Sequence, residues 1–199
     1  HISEMKPTVT VLLGDGLGGF QSEMKFSSVP YIPIVASAVV DVNNDHNLDI
    51  ICSGTHCTCV YALLGTGDAT FAWPVVSLIE DDSPLRDFAV LDFNEDTFLD
   101  FVSVNSISGN VSLYLGCGNG SFTAVKTIAS GTDSAPVAVS VSHINEDSHI
   151  DVAVVNTATR TVDVHLGDGR GNFEPKISSF TGGALPPTDL HLGDLNSDN

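Results

Sequence analysis

The stretch DVNNDHNLD, residues 41–49, decides the fold because it returns along the chain at a constant interval. Copies read DFNEDTFLD at 92–100 and HINEDSHID at 143–151, and a shortened copy, DLNSDN, occupies 194–199. The offsets 92 − 41 and 143 − 92 both equal 51 residues. Self-similarity at a fixed period of this length is typical of repeat proteins, so the chain is predicted to be an array of equivalent units.

A second motif follows the same interval. It reads VLLGDGLGGF at 11–20, ALLGTGDATF at 62–71, LYLGCGNGSF at 113–122 and VHLGDGRGNF at 164–173. Two motifs locked to one period cannot arise by chance. The first copy also contains G-x-G-x-x-G, but no helical pattern follows it, so we interpret it as a tight turn and not as a dinucleotide site.

The segments between the motifs have the pattern of short strands. Those of one repeat read PVAVSVS (136–142), DVAVVN (151–156), TVDVHLG (161–167) and NFEPKISSF (172–180). They are rich in β-branched residues and bounded by Gly, Asn, Asp and Pro. We predict an all-β protein of β-propeller-type blades, four 51-residue repeats of four antiparallel strands; a sandwich is the alternative, but it needs no constant period.

The repeat also predicts the domain organisation. The expected units are a partial blade at 1–31 holding strands three and four, blades at 32–82, 83–133 and 134–184, and the first strand and shortened loop of a further blade at 185–199. Four repeats of 51 residues would need 204, against 199 in the chain, so the ends are expected to fall within blades. A small ring, a ring shared by two chains and a longer array remain open, and strand sharing between neighbours is a possible form of self-association.

The acidic loops are predicted to bind calcium. In the first loop, Asp41, Asn43, Asp45 and Asp49 occupy positions one, three, five and nine, and the Asn47 carbonyl would fill position seven. Alternate oxygen ligands converging in a tight loop suit Ca²⁺, which prefers carboxylate and carbonyl oxygen. The second loop supplies the corresponding set Asp92, Asn94, Asp96, Asp100 and the Phe98 carbonyl.

Two other interpretations of these loops are an EF-hand and a set of turns without a metal. An EF-hand is excluded, because position six is His46 or Thr97 where that motif needs Gly, and the flanks are strands. The alternative without a metal is a set of Asx turns that hold tight connections.

Together the two motifs carry a resemblance. The pattern D-x-N-x-D-x-x-x-D followed by G-x-G-x-x-x-F resembles the FG-GAP and VCBS repeats of integrin α-chain propellers and other extracellular repeat proteins, over essentially the whole chain. The resemblance implies a calcium-stabilised propeller on a cell surface or in a secreted matrix, with the ligands named above.

The third and fourth loops depart from this pattern. His143 stands where Asp41 and Asp92 stand, so the third loop is expected to be a degenerate site that binds calcium weakly or not at all. Its remaining candidate ligands are Asn145, Asp147, His149 and Asp151, and the fourth loop offers Asp194, Asn196 and Asp198.

Composition limits the partners. Asp and Glu number 25 against 7 Lys and Arg, a net charge of −18, which would repel nucleic acid and anionic membrane surfaces, and no apolar run is long enough for a membrane span. A disulfide between Cys52 and Cys59 is expected in an oxidising compartment. Two sequons, at Asn110 and Asn119, fall at predicted turns and are candidate glycosylation sites.

These observations lead to one function and two alternatives. We expect a non-enzymatic, extracellular, structural or adhesive module that binds protein or glycan ligands. The alternatives are a lectin-like glycan binder and a calcium-dependent enzyme acting on polysaccharides.

Overall fold

The computed structural model describes residues 9–20, 23–26, 34–54, 58–79, 85–129, 133–183 and 185–193. Within these ranges the protein contains 14 strands and no helix, so no helix there could cross a membrane. The strands form one two-stranded and three four-stranded antiparallel sheets. The all-β fold of propeller-type blades predicted from the repeat is therefore confirmed.

Each sheet follows chain order. The N-terminal sheet consists of β1 (Val9–Val11) and β2 (Met24–Phe26). The first blade consists of β3 (Ile34–Val40), β4 (Asp49–Gly54), β5 (Cys59–Leu63) and β6 (Val75–Leu78). The second blade consists of β7 (Asp87–Leu91), β8 (Asp100–Asn105), β9 (Asn110–Gly116) and β10 (Phe122–Ala129), and the third of β11 (Pro136–Ser142), β12 (Asp151–Asn156), β13 (Thr161–His165) and β14 (Ile177–Phe180).

The second strand of each blade is buried along its whole length. Successive side chains of a strand point to opposite faces, so a strand between two neighbouring sheets must be apolar on both. In β4, Ile50 packs toward the N-terminal sheet and Ile51 toward the second blade. This explains why the sequence of these strands is a nearly continuous apolar run.

Phe101 is the centre of the core between the first and second blades. Its ring stacks on Tyr114 at a centroid distance of 4.6 Å and meets Phe122 edge-on at 4.9 Å. The core between the second and third blades is aliphatic, with Val102 and Leu113 of the second blade packed among the residues that include Val152 of the third. Burial of these side chains holds the blades face to face.

Two segments differ from the expected strands. The fourth strand of the third blade begins at Ile177 and not at residue 172, because Pro175 has no N–H to donate and Gly167 forms an isolated bridge with Phe173. Residues 185–193, where the repeat predicts a first strand, form none. Pro186 and Pro187 remove two successive donors from this segment.

The predicted Cys52–Cys59 disulfide is wrong. Cys52 is a free, buried thiol, and the disulfide partner of Cys59 lies outside the described residues. The register explains the error: Cys52 pairs with Tyr61, which places Cys59 two residues further along the neighbouring strand. At about 3.3 Å per residue, this offset exceeds the reach of a disulfide.

Candidate functional site

The acidic loops and the glycine turns lie at one edge of each blade, which we call the loop rim. The acidic loops are residues 41–48, 92–99 and 143–150, each joining the first strand of a blade to the second. The glycine turns join the third strand to the fourth, which brings them to the same edge of an antiparallel sheet. Both repeated motifs therefore occupy the same region of the fold.

The aspartate directly after each acidic loop, which is the first residue of the second strand, is a buried clamp between the two motifs. Asp49 is fully buried, and its carboxylate accepts hydrogen bonds from the N–H of Val42 at 2.8 Å and of Gly65 at 2.7 Å. The equivalent pairs are Asp100 with Phe93 and Gly116, and Asp151 with Ile144 and Gly167, at 2.7–2.9 Å. The clamp explains why, in all three blades, the aspartate and the glycine stand at a constant spacing of 16 residues.

The glycine of the clamp is required by close approach of another segment. A Cβ atom on Gly65 would lie 2.3 Å from the carbonyl oxygen of Leu48, and one on Gly116 would lie 2.1 Å from that of Leu99. The tight-turn interpretation holds for the following glycines, such as Gly67 with φ of 84°. In the first copy, Asp15 accepts the N–H of Leu17 and of Gly19, so the G-x-G-x-x-G stretch is a turn in the described fold.

Burial and neighbouring carboxylates raise the pKa of the clamp aspartates in the first and second blades. Burial raises the pKa of Asp100 to about 6, against the N–H donors of Gly116 and Phe93, and the charges of Asp96 and Asp92 raise it further. The pKa of Asp49 is raised by the same causes. The two loops therefore concentrate negative charge around a buried carboxylate.

The remaining candidate ligands of the first loop hydrogen-bond to one another and to N–H groups of the same loop, in a series of Asx turns. Asp41 accepts the N–H of Asp45 at 3.1 Å and of His46 at 2.8 Å, and Nδ2 of Asn43 donates to Oδ2 of Asp45 at 2.9 Å. Asp45 also accepts the N–H of Asn47 at 2.8 Å, which lowers the pKa of Asp45. The turns place Asn44 and His46 in the left-handed region, with φ of 59° and 69°.

The second loop repeats this arrangement residue for residue. Asp92 accepts the N–H of Asp96 and Thr97, Asn94 donates to Asp96, and Asp96 accepts the N–H of Phe98. Positive φ values recur at Glu95, 60°, and Thr97, 76°. Identical conformation from different intervening residues shows that the Asp and Asn side chains determine the loop.

The third loop has a different conformation. His143 supplies no carboxylate at position one, and Oδ2 of Asp151 accepts the N–H of both Ile144 and Asn145 instead. Asn145 and Asp147 keep their mutual bond, but neither Glu146 nor Ser148 has a positive φ. The substitution at position one therefore changes the backbone of the loop.

The positions of the predicted ligand side chains indicate which of them could bind a metal ion. Among the described residues, no three His, Cys, Asp or Glu side chains are grouped as a metal site requires. Asp49 and Asp100 already accept two N–H groups each, so the accessible oxygens are those of Asp41, Asn43 and Asp45 and their counterparts in the second loop. Asp194, Asn196 and Asp198 lie outside the described residues.

The loops of neighbouring blades contact one another along the rim. Nδ2 of Asn44 donates to the carbonyl of Thr97 at 3.1 Å, and Nδ1 of His149 lies 2.7 Å from Oε1 of Glu95. The N–H of Gly171 donates to the carbonyl of Phe93 at 3.1 Å. None of these contacts could be read from the sequence, because each joins residues more than 50 positions apart.

A cleft of about 610 Å³ opens at the rim between the N-terminal sheet and the first blade. Its walls combine apolar side chains, among them Leu13 and Phe71, with the polar side chains of Asn47, Asp68 and Thr70. At the equivalent joints, a Cβ on Gly120 or Gly171 would touch a leucine of the preceding blade, so there is no space. Ala69 occupies that turn position here and lines the open cleft.

The two sequons differ in exposure. Asn110 is half-buried and its partner Ser112 is buried, whereas Asn119 is exposed in the glycine turn of the second blade. Oδ1 of Asn119 accepts the N–H of Ser121 at 3.0 Å. Because it is more exposed, Asn119 is a better candidate than Asn110 for attachment of a glycan.

Comparison with known proteins supports the repeat. Residues 92–154 match the model of the FG-GAP-like repeat, which confirms the expected resemblance over this segment. No curated protein sequence matches the chain significantly.

Two solved structures are similar to the chain. One is an Agrocybe aegerita lectin described as recognising non-reducing terminal N-acetylglucosamine, with a TM-score of 0.61 and 19% identity over 86% of this chain and 46% of the lectin. This chain thus spans less than half of the lectin's length, and the likeness concerns the fold. The other is the Photorhabdus luminescens Tc holotoxin pore, with a TM-score of 0.41 and 15% identity over 90% of this chain and 11% of that one, too low to support an argument.

Proposed function

We propose that this chain, which carries an FG-GAP-like repeat at 92–154 in a propeller-type fold, is a non-enzymatic extracellular binding module whose first two acidic loops hold calcium. The observation that carries the proposal is the identical arrangement of Asp and Asn oxygens in loops 41–48 and 92–99. Its role is structural or adhesive: calcium would fix the rim on which ligands bind.

The donor chemistry favours calcium over other divalent cations. Asp41, Asn43 and Asp45 offer only oxygen, which suits a hard cation of flexible geometry, whereas zinc would require His or Cys. The amide of Asn43 would have to turn, so that Oδ1 replaces Nδ2 beside Asp45. A bound cation would also offset the repulsion among the carboxylates of each loop.

The test is thermal unfolding with calcium and with EDTA. Calcium that binds only the folded loops raises the melting temperature by mass action. We expect Asp41→Ala and Asp92→Ala each to reduce the calcium-dependent shift. The control is Asp15→Ala, an exposed turn carboxylate of the N-terminal sheet, which should affect both conditions equally. An unchanged melting curve for the wild type would refute calcium binding.

Glycan binding is the second candidate, favoured by the open cleft beside Ala69. Apolar surface from Phe71 would suit the C–H face of a sugar, and Asn47, Asp68 and Thr70 could bond its hydroxyl groups. Recognition of N-acetylglucosamine by the similar lectin is consistent with this idea but concerns that protein.

A glycan array in calcium buffer tests this candidate. We expect Asp68→Ala to weaken any binding found, while Asp168→Ala, in the turn of the third blade, should leave it unchanged. Equal loss in both variants, or no bound glycan, would contradict a glycan site in this cleft and leave protein adhesion as the role.

A further inference from the structure

A polar cluster lies in the interface between the second and third blades, apart from the loop rim and the cleft. Asp163 and His165 of β13 are 1% and 2% exposed. They pair across the sheet with Val154 and Val152, which belong to the aliphatic core between these blades. Cross-strand partners point to the same face, so both polar side chains project into that core interface.

Each of these side chains carries one buried atom with no hydrogen-bond partner among the described residues. Oδ2 of Asp163 is bonded to Nζ of Lys176 at 2.6 Å, but in the part of the chain that the structure describes neither Oδ1 of Asp163 nor Nε2 of His165 has a partner. Leaving a buried polar atom unsatisfied is costly, so two such atoms at neighbouring positions on one face of a strand call for a common partner.

The surrounding charges restrict what that partner is. Lys176 already neutralises Asp163, which disfavours a cation, and the carboxylate itself disfavours an anion. Burial lowers the pKa of His165, so its ring is neutral at neutral pH, and Nε2 either donates or accepts according to the tautomer. The partner must therefore be small, neutral and able both to donate and to accept.

We infer that a single water molecule is bound between Nε2 of His165 and Oδ1 of Asp163, as an internal part of the interface of the second and third blades. Water donates to the carboxylate oxygen and serves either tautomer of the ring. Buried waters of this kind characteristically satisfy otherwise unpaired groups and are as much part of a fold as its side chains. The site is independent of calcium and of glycan binding.

A crystal structure of the wild-type protein at about 1.5 Å resolution tests the inference. The expected result is ordered solvent density within about 3.2 Å of both named atoms. A direct bond between the two side chains, density touching only one of them, or none at all would overturn it.

A double-mutant cycle gives an independent test in solution. His165→Phe keeps a ring but removes Nε2, and Asp163→Asn keeps an acceptor oxygen and the volume. Two residues that share one bound water should be coupled, so the double variant's unfolding constant should differ about fivefold or more from the product of the single effects. At pH 7.5 the neutral ring removes charge attraction as the source of coupling, and additive effects would overturn the shared water.

Discussion

Oε1 of Glu95 lies 2.7 Å from Nδ1 of His149, which joins the acidic loop of the second blade to that of the third. The side chains are 58% and 34% exposed. The hydrogen bond that the ring donates to the Glu95 carboxylate is the main cause that raises the pKa of His149. The loop that lost its first carboxylate is thus held against its neighbour by a contact between side chains.

Because this pair is largely solvated, its contribution should be small. We expect Glu95→Gln to lower the melting temperature by no more than about 2 °C, and less in 1 M salt. Glu146→Gln, at the same position of the third loop, is the matched control. A decrease in melting temperature well above 5 °C would show that the contact stabilises the fold more than a surface ion pair does.

The buried clamp should matter much more than this surface contact. Removing the carboxylate by Asp100→Ala leaves the N–H groups of Phe93 and Gly116 unpaired, so we expect a loss of about 2–4 kcal/mol in the free energy of unfolding. The loss should appear in EDTA as well as in calcium, as measured by urea unfolding. An effect confined to calcium buffer would mean that Asp100 acts only as a ligand.

Two glycines at the same repeat position provide a direct test of the close approach. Gly116→Ala would place a Cβ 2.1 Å from the carbonyl oxygen of Leu99, and we expect a loss of about 2–3 kcal/mol. At Gly14 no atom of the described residues lies within 4 Å of such a Cβ, so Gly14→Ala should change stability by less than about 1 kcal/mol. Equal effects of the two substitutions in urea unfolding would disprove the steric explanation.

The two thiols that are free among the described cysteines should differ in reactivity. Cys117 is exposed, whereas Cys52 is buried, and burial raises the pKa of Cys52 to about 11. Since the thiolate is the reactive form, Cys117 should react rapidly with a thiol reagent in the folded protein and Cys52 only after unfolding. Cys117→Ser should remove the rapid phase; a rapid phase that persists there and vanishes in Cys52→Ser would reverse the assignment.

His165 predicts a loss of stability on acidification. Its pKa in the folded protein lies below the unfolded value of 6.5, first because of burial and also because of Lys176, although Asp163 acts against both. Below the unfolded pKa the unfolded state takes up the proton more readily, so stability is complete above that pKa and is lost as the pH falls through it. Urea unfolding between pH 7.5 and 5.5 should show this loss in the wild type and a smaller one in His165→Phe. Identical slopes would contradict it.

Much of the fold was predictable because the repeat fixes what a single segment cannot. One lone acidic loop could equally be a polar turn, but its recurrence with the Gly-to-Phe motif indicated blades of four strands, and the three four-stranded sheets bear this out. His143 was recognised as the departure from the pattern only because its register with Asp41 and Asp92 was known. The backbone of that loop differs from that of the other two, and its weak or absent calcium binding stays a prediction.

The contacts between strands could not be predicted in the same way. The prediction of a Cys52–Cys59 disulfide was wrong because the pairing of cysteines depends on the strand register, which places Tyr61 opposite Cys52. Asp49 and Asp100 were interpreted only as ligands, since nothing in a linear pattern shows that a carboxylate turns inward to bind a glycine N–H. The fixed spacing of the two motifs was the available signal for the clamp.

The clamp also affects how the protein can form during synthesis. Asp49 and Gly65 are only 16 residues apart, so each clamp closes within its own blade without waiting for distant parts of the chain. Short-range contacts of this kind lower the entropy cost of loop closure and allow early folding. Each blade can therefore take shape as its glycine turn leaves the ribosome, and then serve as the surface on which the next blade assembles.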